Sequence, residues 1–183
     1  MRENPPPLSL RLMLKAEILI MTRLVPATGP GPLFKWLFKM PVILDKIGLG
    51  WLNSNYFLIL TTTGRKTGIL HQTPLEYRYE PESDTYIIMA GWGGRTDWYR
   101  NTIVHPHVHV KLKGRQFAAQ AKPLLPEEVA TLMGDAIRVN PDALKIWSRW
   151  AGTSLDGSDQ SLLGAAKHFP SLRLIPVEEE STK

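Results

Sequence analysis

The feature that most constrains this fold is a series of short strand-like runs separated by turns. Residues 56–62, YFLILTT, are rich in β-branched and aromatic residues, which favours a buried strand. Residues 107–113, HVHVKLK, alternate polar and apolar side chains, which favours a strand with one buried face. Six runs are expected to be strands: 56–62, 71–79, 85–90, 107–113, 116–122 and, as an edge strand that tolerates Pro176, 172–177. Short strands at near-regular spacing predict an antiparallel barrel and argue against alternating βαβ units.

Helix signals dominate the region between the fifth and sixth runs. The motif at residues 125–128, Leu-Pro-Glu-Glu, indicates a helix start because carboxylates are favourable near the positive end of a helix. Residues 141–150 form a second predicted helix, with Asn140 as its N-cap. Residues 98–104 are expected to form a helical turn, and residues 152–161 a polar loop. The overall prediction is an α+β fold.

Length and composition indicate one globular domain with an N-terminal extension. The chain has 183 residues, of which 43% are apolar and 21% charged, and it has no cysteine. We assign residues 1–50 to a helical extension and residues 51–183 to the barrel domain with its C-terminal helices. The net charge of +5 favours anionic partners. Nucleic acid is a poor candidate, because the basic residues are dispersed and the aromatic residues cluster with glycines.

Residues 8–25, LSLRLMLKAEILIMTRLV, have the composition of an amphipathic helix. Charged residues such as Lys15 and Glu17 interrupt the run, so it does not supply the about 20 uncharged residues that a bilayer-spanning helix needs. No small-residue cleavage site follows a clean apolar segment, which argues against a signal peptide. Two roles stay open, packing on its own domain and peripheral contact with a membrane surface. The protein is therefore expected to be cytoplasmic, either free or on the inner face of the membrane.

Residues 63–68, TGRKTG, have the composition of an anion-binding turn. The two glycines allow backbone amides to point inward, and Arg65 and Lys66 supply positive charge. The spacing differs from that of the Walker A motif. A basic hairpin turn without a ligand is the alternative interpretation.

A second glycine-rich block lies at residues 90–101, AGWGGRTDWYRN. Its three glycines allow the backbone to approach a ligand closely, and Trp92, Trp98 and Tyr99 offer flat surfaces for a heteroaromatic ring. Asn101 is expected either to bond a ring carbonyl or to cap the turn. The two blocks together suggest two loops that close over one planar, anionic ligand.

The succession TTTGRKTG, TPL, AGWGG, DWYRN and HPHVHVKLKGRQFAAQA resembles the deazaflavin-dependent nitroreductase and quinone-reductase family. The resemblance covers about 70 residues, roughly 58–126. It implies a split β-barrel related to the pyridoxamine-phosphate-oxidase fold. It also implies binding of coenzyme F420, a 5-deazaflavin with a phosphate-linked, glutamate-bearing tail.

The family's cofactor contacts are carried over by position. Arg65, Lys66 and Thr67 match the segment that contacts the anionic part, and the segment from His71 to Pro74 matches the one beside the deazaflavin. Relatives often have arginine in place of His71, and a serine where this chain has Gly91. The resemblance implies the following cofactor-binding residues: Gly64, Arg65, Lys66, Thr67, His71, Gln72, Thr73, Pro74, Ala90, Gly91, Trp92, Gly93, Trp98, Tyr99 and Asn101.

The acceptor side departs from the family pattern. Some relatives place tyrosines on the helix that covers the substrate pocket, whereas residues 139–150 here contain no tyrosine. Trp147 and Trp150 are therefore the expected pocket residues. Tyr99 and His71 are the candidate proton donors, with solvent as the alternative.

Three histidines resemble a metal site. His105, His107 and His109 alternate along one strand, but no cysteine or carboxylate lies near them in the sequence. We expect them to be solvent-facing strand residues, with no bound metal.

The leading functional hypothesis is an oxidoreductase that transfers a hydride from reduced F420 to an apolar acceptor: a quinone, a nitroaromatic compound or an activated alkene. A reduced deazaflavin performs the difficult step itself, so the protein must hold the ring and stabilise charge on the acceptor. One alternative keeps the fold but uses FMN or haem. Another is a non-catalytic carrier of the cofactor or of a lipid. The protein is expected to be a monomer or a homodimer.

Overall fold

The computed structural model describes residues 57–177 together with Val42. Its strands are β1 (Phe57–Thr63), β2 (Leu70–Glu76), β3 (Arg78–Glu80), β4 (Thr85–Met89), β5 (His107–Leu112), β6 (Arg115–Pro123) and β7 (Ser171–Val177). The helices of this part of the chain are α1 (Asp97–Val104), α2 (Pro126–Val139), α3 (Ala143–Ala151) and α4 (Asp159–Ala166). A 3-10 turn (Trp92–Gly94) precedes α1.

All seven strands form one antiparallel sheet in the order β2-β1-β5-β6-β7-β4-β3. Strands β2 and β3 occupy opposite edges of this sheet, although Tyr77 alone separates them in the chain. The sheet must therefore curl until its two edges approach each other, and β2 does contact β4. The predicted α+β fold with a split antiparallel barrel is confirmed.

Two of the predicted strands differ from the structure. The run at residues 71–79 is not one strand, because the chain turns at Tyr77, whose ring packs edge-on against Tyr86. The run at 172–177 is not at an edge, because β7 lies between β6 and β4. Strand β4 pairs only with residues 171–174, so Pro176 lies beyond that pairing and interrupts no bond to β4.

The core has two parts. Inside the barrel, Leu58 and Leu60 of β1 pack with Val108 of β5 and Leu172 of β7. Such buried aliphatic side chains each stabilise the fold by about 1.5–3 kcal/mol. The second part lies between the helices and is made of Val129, Met133, Leu155, Leu162, Ala165, Ala166 and Phe169.

The helix that was predicted to start near residue 125 is confirmed as α2. Glu128 Oε2 accepts a hydrogen bond from the backbone N–H of Leu125 at 2.9 Å, which satisfies one donor of the first turn. Glu128 Oε1 also accepts a hydrogen bond from Arg173 Nη1 of β7 at 3.1 Å. The helix start is therefore tied to the sheet.

The predicted N-cap role of Asn140 is wrong. Asn140 ends α2, where its backbone N–H donates to the carbonyl of Ala136 at 2.8 Å, and Asp142 is the residue before α3. The predicted polar loop at 152–161 is shorter than expected, because α4 begins at Asp159. Ser158 Oγ accepts a hydrogen bond from the backbone N–H of Ser161 and so caps α4.

The predicted N-terminal extension, residues 1–50, and its helix at 8–25 lie outside the described residues except for Val42. Val42 is helical and buried, with 8% of its surface exposed. Within residues 57–177, every helix is too short or too polar to cross a bilayer.

Candidate functional site

The first block forms the tip of the β1–β2 hairpin. The backbone N–H groups of Gly64 and Gly68 donate to the carbonyls of Ile69 and Gly64, both at 2.8 Å. A side-chain carbon on Gly64 would lie 2.7 Å from Thr67 Oγ1 and 3.0 Å from His71 Nε2. The Thr67 hydroxyl and the His71 ring therefore converge over Gly64, and only glycine leaves room for them.

The second block begins with residues 90–96, a loop between β4 and α1 that has an unusual backbone and is called the second loop below. Trp92, Gly93 and Gly94 have φ values of +55°, +65° and +70°. The left-handed region is unfavourable for a bulky residue such as Trp92. Hydrogen bonds hold the loop, because the backbone N–H of Gly93 donates to the carbonyl of His168 at 3.0 Å and Arg95 Nε donates to the carbonyl of Trp92 at 3.0 Å.

Arg65 joins the two blocks. Its backbone N–H and its Nη1 both donate to Asn101 Oδ1, at 3.2 Å and 2.9 Å. Its Nη1 also lies 3.0 Å from Asp97 Oδ1. Asn101 is 3% exposed, so this amide is a buried acceptor at the contact between the hairpin and α1. The two blocks therefore meet in space, as their sequence suggested.

The two cations of the hairpin have different surroundings. The Arg65 side chain is 24% exposed and is committed to Asn101 and Asp97. Lys66 is exposed, and among the described residues its ammonium group makes no hydrogen bond or ion pair. Lys66 is thus the cation of the hairpin that is available to an anion.

Helix α1 places the ring of Tyr99 beside the second loop. A side-chain carbon on Gly94 would lie 3.0 Å from Tyr99 Cε1 and 2.9 Å from Pro170 Cγ, so this contact requires glycine. Tyr99 also packs edge-on against Trp98, with ring centroids 5.9 Å apart. Burial raises the pKa of the Tyr99 hydroxyl above 10.0, so this group keeps its proton at neutral pH.

Helix α3 reaches the second loop through one of its two tryptophans. The ring of Trp150 stacks on Trp92 with centroids 5.0 Å apart and planes tilted by 32°. It also lies 3.5 Å from the position that a side-chain carbon on Gly91 would take. Trp147 instead packs against Phe169, in the helical part of the core. The structure therefore brings Trp150, and not Trp147, to the predicted cofactor loop.

The remaining predicted residues frame this region. His71 and Gln72 of β2 are exposed, whereas Thr73 and Pro74 are partly buried. Ala90 is fully buried, and its backbone N–H donates to the carbonyl of Pro170 at 2.9 Å. Ala90 can therefore shape the loop only through the backbone.

Four buried polar atoms have no hydrogen-bond partner among the described residues: Thr62 Oγ1, Trp92 Nε1, Thr96 Oγ1 and Trp150 Nε1. Buried polar groups are nearly always paired in folded proteins. Trp92 Nε1 and Thr96 Oγ1 lie on the second loop, and Trp150 Nε1 lies on α3. The unsatisfied polar atoms are thus concentrated around the second loop.

The sequence prediction omitted three residues of this site. Asp97 pairs with Arg65, Gly94 admits Tyr99, and Thr96 carries an unpaired buried hydroxyl. Asp97 lies inside the recognised DWYRN motif, which was the only signal for it, because Arg65 is 32 residues away in the sequence. Nothing in the sequence distinguished Gly94 from Gly93.

The three histidines lie on and just before β5, and the backbone N–H of His105 donates to the carbonyl of Asn101 at 2.8 Å. His107 and His109 are exposed, as expected for outward-facing strand residues, and His105 is partly buried. Within residues 57–177, no group of three or more histidine, cysteine, aspartate or glutamate side chains is placed to hold a metal ion.

A shallow groove of about 700 Å³ runs along α3 and the loop after it, and Leu144, Lys145, Ser148 and Arg149 are among the residues that line it. None of the predicted site residues lines this groove. The contacts of Arg65 and Trp150, rather than this depression, define the candidate site.

Comparison with known proteins identifies relatives of this chain. Residues 45–155 match the family model described as F420H(2)-dependent quinone reductase. The F420H(2)-dependent quinone reductase of Mycobacterium tuberculosis (strain ATCC 25618 / H37Rv) is 31% identical over 93 residues, which are 49% of this chain and 53% of that protein. The chain thus spans about half the length of the curated relatives that it matches.

Solved structures also resemble this chain at low sequence identity. A structure described as an F420-H2 dependent reductase is 22% identical, with a TM-score of 0.45 over 64% of this chain and 92% of the other. The heme storage protein HutZ from Vibrio cholerae is 15% identical, with a TM-score of 0.43 over 74% of this chain and 92% of the other.

The family match covers more than half of the chain and includes both glycine-rich blocks. The predicted enzyme class and cofactor are confirmed at the level of the family, which is described as a quinone reductase dependent on F420H2. The chain belongs to the F420H(2)-dependent quinone reductase family, which agrees with the resemblance in its sequence motifs.

Proposed function

We propose that this chain binds reduced coenzyme F420 between the β1–β2 hairpin and the second loop, and that it transfers a hydride to an apolar planar acceptor. A quinone is the first candidate acceptor, and a nitroaromatic compound or an activated alkene are the others. The observation that carries the proposal is the contact of Arg65 with Asn101, because it makes one surface of two blocks that are far apart in the sequence.

The hairpin supplies the binding groups for the anionic part of the cofactor. Lys66 is exposed, and the Thr67 hydroxyl lies beside the His71 ring above Gly64. Ammonium and hydroxyl groups are good partners for phosphate and carboxylate oxygens. Arg65 contributes by holding the hairpin against α1, since its guanidinium is already bonded to Asn101 and Asp97.

The second loop and α1 supply the surface for the planar ring. Gly93 leaves the backbone accessible, since nothing lies within 4 Å of a side-chain carbon there, and Trp92 and Tyr99 contribute aromatic rings. The unpaired donors of Trp92 and Thr96 suit the carbonyl and nitrogen atoms of a deazaflavin. The residues present therefore fit the cofactor that the family uses.

When bound, reduced F420 would supply a hydride, which is two electrons and one proton, to the acceptor. The acceptor takes up a second proton to become the neutral reduced product. The candidate proton sources are the Tyr99 hydroxyl, His71 and solvent. Tyrosine is protonated at neutral pH at its ordinary pKa, and burial raises the pKa of Tyr99 further, which makes its hydroxyl a weaker acid. The protein's own contribution is to orient the reactants and to keep water from the ring face.

The first test is a fluorescence titration with F420. Lys66→Ala should weaken binding about fivefold, equivalent to about 1 kcal/mol, with a larger change at low salt because exposed charges are screened. Lys122→Ala is the matched control, because Lys122 is an exposed lysine on β6 and should leave the affinity unchanged. If Lys66→Ala and the wild type bind F420 with equal affinity, the proposed anion-binding role of the hairpin is wrong.

Turnover separates the enzyme from its alternatives. We expect oxidation of reduced F420 when a menadione-like quinone or an enone is added. Binding without consumption would indicate a carrier, and a Soret band or tight FMN binding would indicate a different cofactor on the same fold. Failure of the wild-type protein to bind F420 would sink the proposal.

Membrane contact, location and oligomeric state are finer parts of the same proposal. Residues 8–25 combine cationic and large aliphatic residues, which is the composition of an interfacial helix. Co-sedimentation with anionic vesicles should fall when Arg11, Lys15 and Arg23 are changed to glutamate. No binding by the wild type would refute the membrane contact, and light scattering would distinguish a monomer from a homodimer.

A further inference from the structure

Asp97 is the only acidic residue in the two segments that build the candidate site. Residues 57–75 and 90–104 contain no other aspartate or glutamate. The carboxylate of Asp97 pairs with the hairpin itself, because its Oδ1 lies 3.0 Å from Arg65 Nη1. A hairpin that is proposed to bind an anion therefore carries a negative charge directly beside one of its two cations, Arg65 and Lys66.

This ion pair contributes little to the stability of the fold. The Asp97 side chain is 83% exposed, and water screens such surface pairs. Arg65 is anchored without Asp97, since the buried Asn101 accepts hydrogen bonds from its backbone N–H at 3.2 Å and from its Nη1 at 2.9 Å. The main electrostatic effect of Asp97 is therefore on a charged molecule that approaches the hairpin.

The contacts of the Arg65 guanidinium involve only one of its three nitrogens. Nη1 donates to both Asp97 and Asn101, and no described residue accepts a hydrogen bond from Nη2 or Nε. Two neighbouring guanidinium nitrogens match the spacing of two phosphate oxygens. A phosphate on this free edge would lie about 6 Å from the Asp97 carboxylate, because both anions would be hydrogen-bonded to one small planar group.

The charges of the hairpin and Asp97 match an anion with one negative charge. Arg65 and Lys66 alone would match two negative charges, but Asp97 cancels one of the two cations. A phosphodiester carries one negative charge at neutral pH, whereas a phosphate monoester carries about 1.5–2. At about 6 Å in surroundings close to water, the repulsion by Asp97 weakens binding about three- to fivefold for each negative charge of the ligand.

We propose that Asp97 sets the charge preference of the hairpin, so that it takes the singly charged phosphodiester of a cofactor rather than a doubly charged terminal phosphate. This inference rests on the proposed function, because it concerns the phosphate of the same cofactor. The phosphate of F420 is a diester that links the ring's side chain to the tail, whereas the phosphate of FMN is a terminal monoester. Asp97 thereby separates the two cofactors by charge, without contacting either ring.

The test uses the full chain and two ligands that share one ring and differ by one charge. They are ribityl-deazaflavin 5′-phosphate, a monoester, and the methyl ester of that phosphate. Fluorescence titrations at low salt and about pH 8, where the monoester is doubly charged, give both affinities. The wild type should bind the monoester no more tightly than the methyl ester. Asp97→Asn should strengthen binding of both, and the ratio of the two affinities should shift about three- to fivefold in favour of the monoester.

Two controls separate charge from structure. Asparagine keeps an oxygen that accepts from Arg65 Nη1, so Asp97→Asn removes the charge and not the contact, and its effect should shrink at high salt. Asp159→Asn is the matched control, because Asp159 is the exposed first residue of α4, as Asp97 is of α1, and no described cation pairs with it. This substitution should leave both affinities unchanged.

The outcomes distinguish this inference from the proposed function. An unchanged ratio in Asp97→Asn, or an equal shift in Asp159→Asn, would overturn the role of Asp97. A wild type that prefers the monoester, or that binds F420 but neither of the two ligands, would overturn it as well. A wild type that shows the expected ratios but never binds F420 would refute the proposed function and leave the charge preference standing. Failure of all three ligands to bind would refute both.

Discussion

The two contacts that build the candidate site differ in how they are held together. Hydrogen bonds hold the hairpin against α1, because Asn101 accepts two of them from Arg65. Between α3 and the second loop, the contact is a stack of two indoles whose N–H groups are left unpaired. In the first contact the polar groups are hydrogen-bonded to each other. In the second contact the two indole N–H groups have no partner among the described residues.

The difference has a physical consequence for function. Hydrogen bonds require a narrow range of distance and angle, so the hairpin and α1 have one preferred arrangement. Stacked rings tolerate sliding with little loss of contact. The hydrogen-bonded contact is therefore expected to be the more rigid of the two, and the contact between the indole rings the more adaptable.

The largest expected effect on stability comes from a substitution in the second loop, which packs against Tyr99 of α1 and Trp150 of α3. Gly94→Ala should lower the free energy of unfolding by about 3 kcal/mol, because a left-handed alanine is unfavourable and its carbon would collide with the Tyr99 ring and Pro170. Urea unfolding followed by circular dichroism measures the change.

Gly93→Ala is the matched control for that substitution. Gly93 has a similar φ of +65° but no atom within 4 Å of the added carbon, so only about 1 kcal/mol should be lost. Equal losses in the two variants would mean that backbone conformation alone, rather than packing on Tyr99, accounts for the requirement at Gly94.

The hydrogen-bonded contact should depend on Asn101 far more than on Asp97. Asn101→Ala leaves the backbone N–H and guanidinium of Arg65 without their buried acceptor and should cost about 2 kcal/mol. Asp97→Ala removes a carboxylate that is 83% exposed and should cost under about 0.5 kcal/mol. Thermal unfolding of both variants provides the comparison, and a larger loss for Asp97→Ala would reverse our ranking.

The same contrast explains what could be predicted from the sequence. The strand periodicity and the two glycine-rich blocks predicted the barrel and the closeness of the two blocks, because those signals are local or belong to a recognisable motif. The bonds from Arg65 to Asn101 that join the blocks were not predicted. The break at Tyr77 and the interior position of β7 were missed, since both depend on how the sheet closes. The stack of Trp150 on Trp92 was equally invisible, because side-chain partners across 58 residues leave no periodic trace.

The smallest expected effects are on the pH dependence of the free energy of unfolding. They separate the contribution of a hydrogen-bonded carboxylate, Glu128, from that of a buried hydroxyl, Tyr99. The Leu125 N–H and Arg173 lower the pKa of Glu128 below 4.5, so its contribution is present above pH 4.5 and is lost as the pH falls through the lowered pKa. Burial raises the pKa of Tyr99 above 10.0, so its contribution is present below pH 10.0 and is lost as the pH rises through the raised pKa. Urea midpoints measured across both ranges should therefore fall at both ends. Glu128→Gln should make the loss of stability smaller only on the acid side, and Tyr99→Phe only on the alkaline side, where other tyrosines also have raised pKa values. A variant that changes both sides would show that the two groups are coupled.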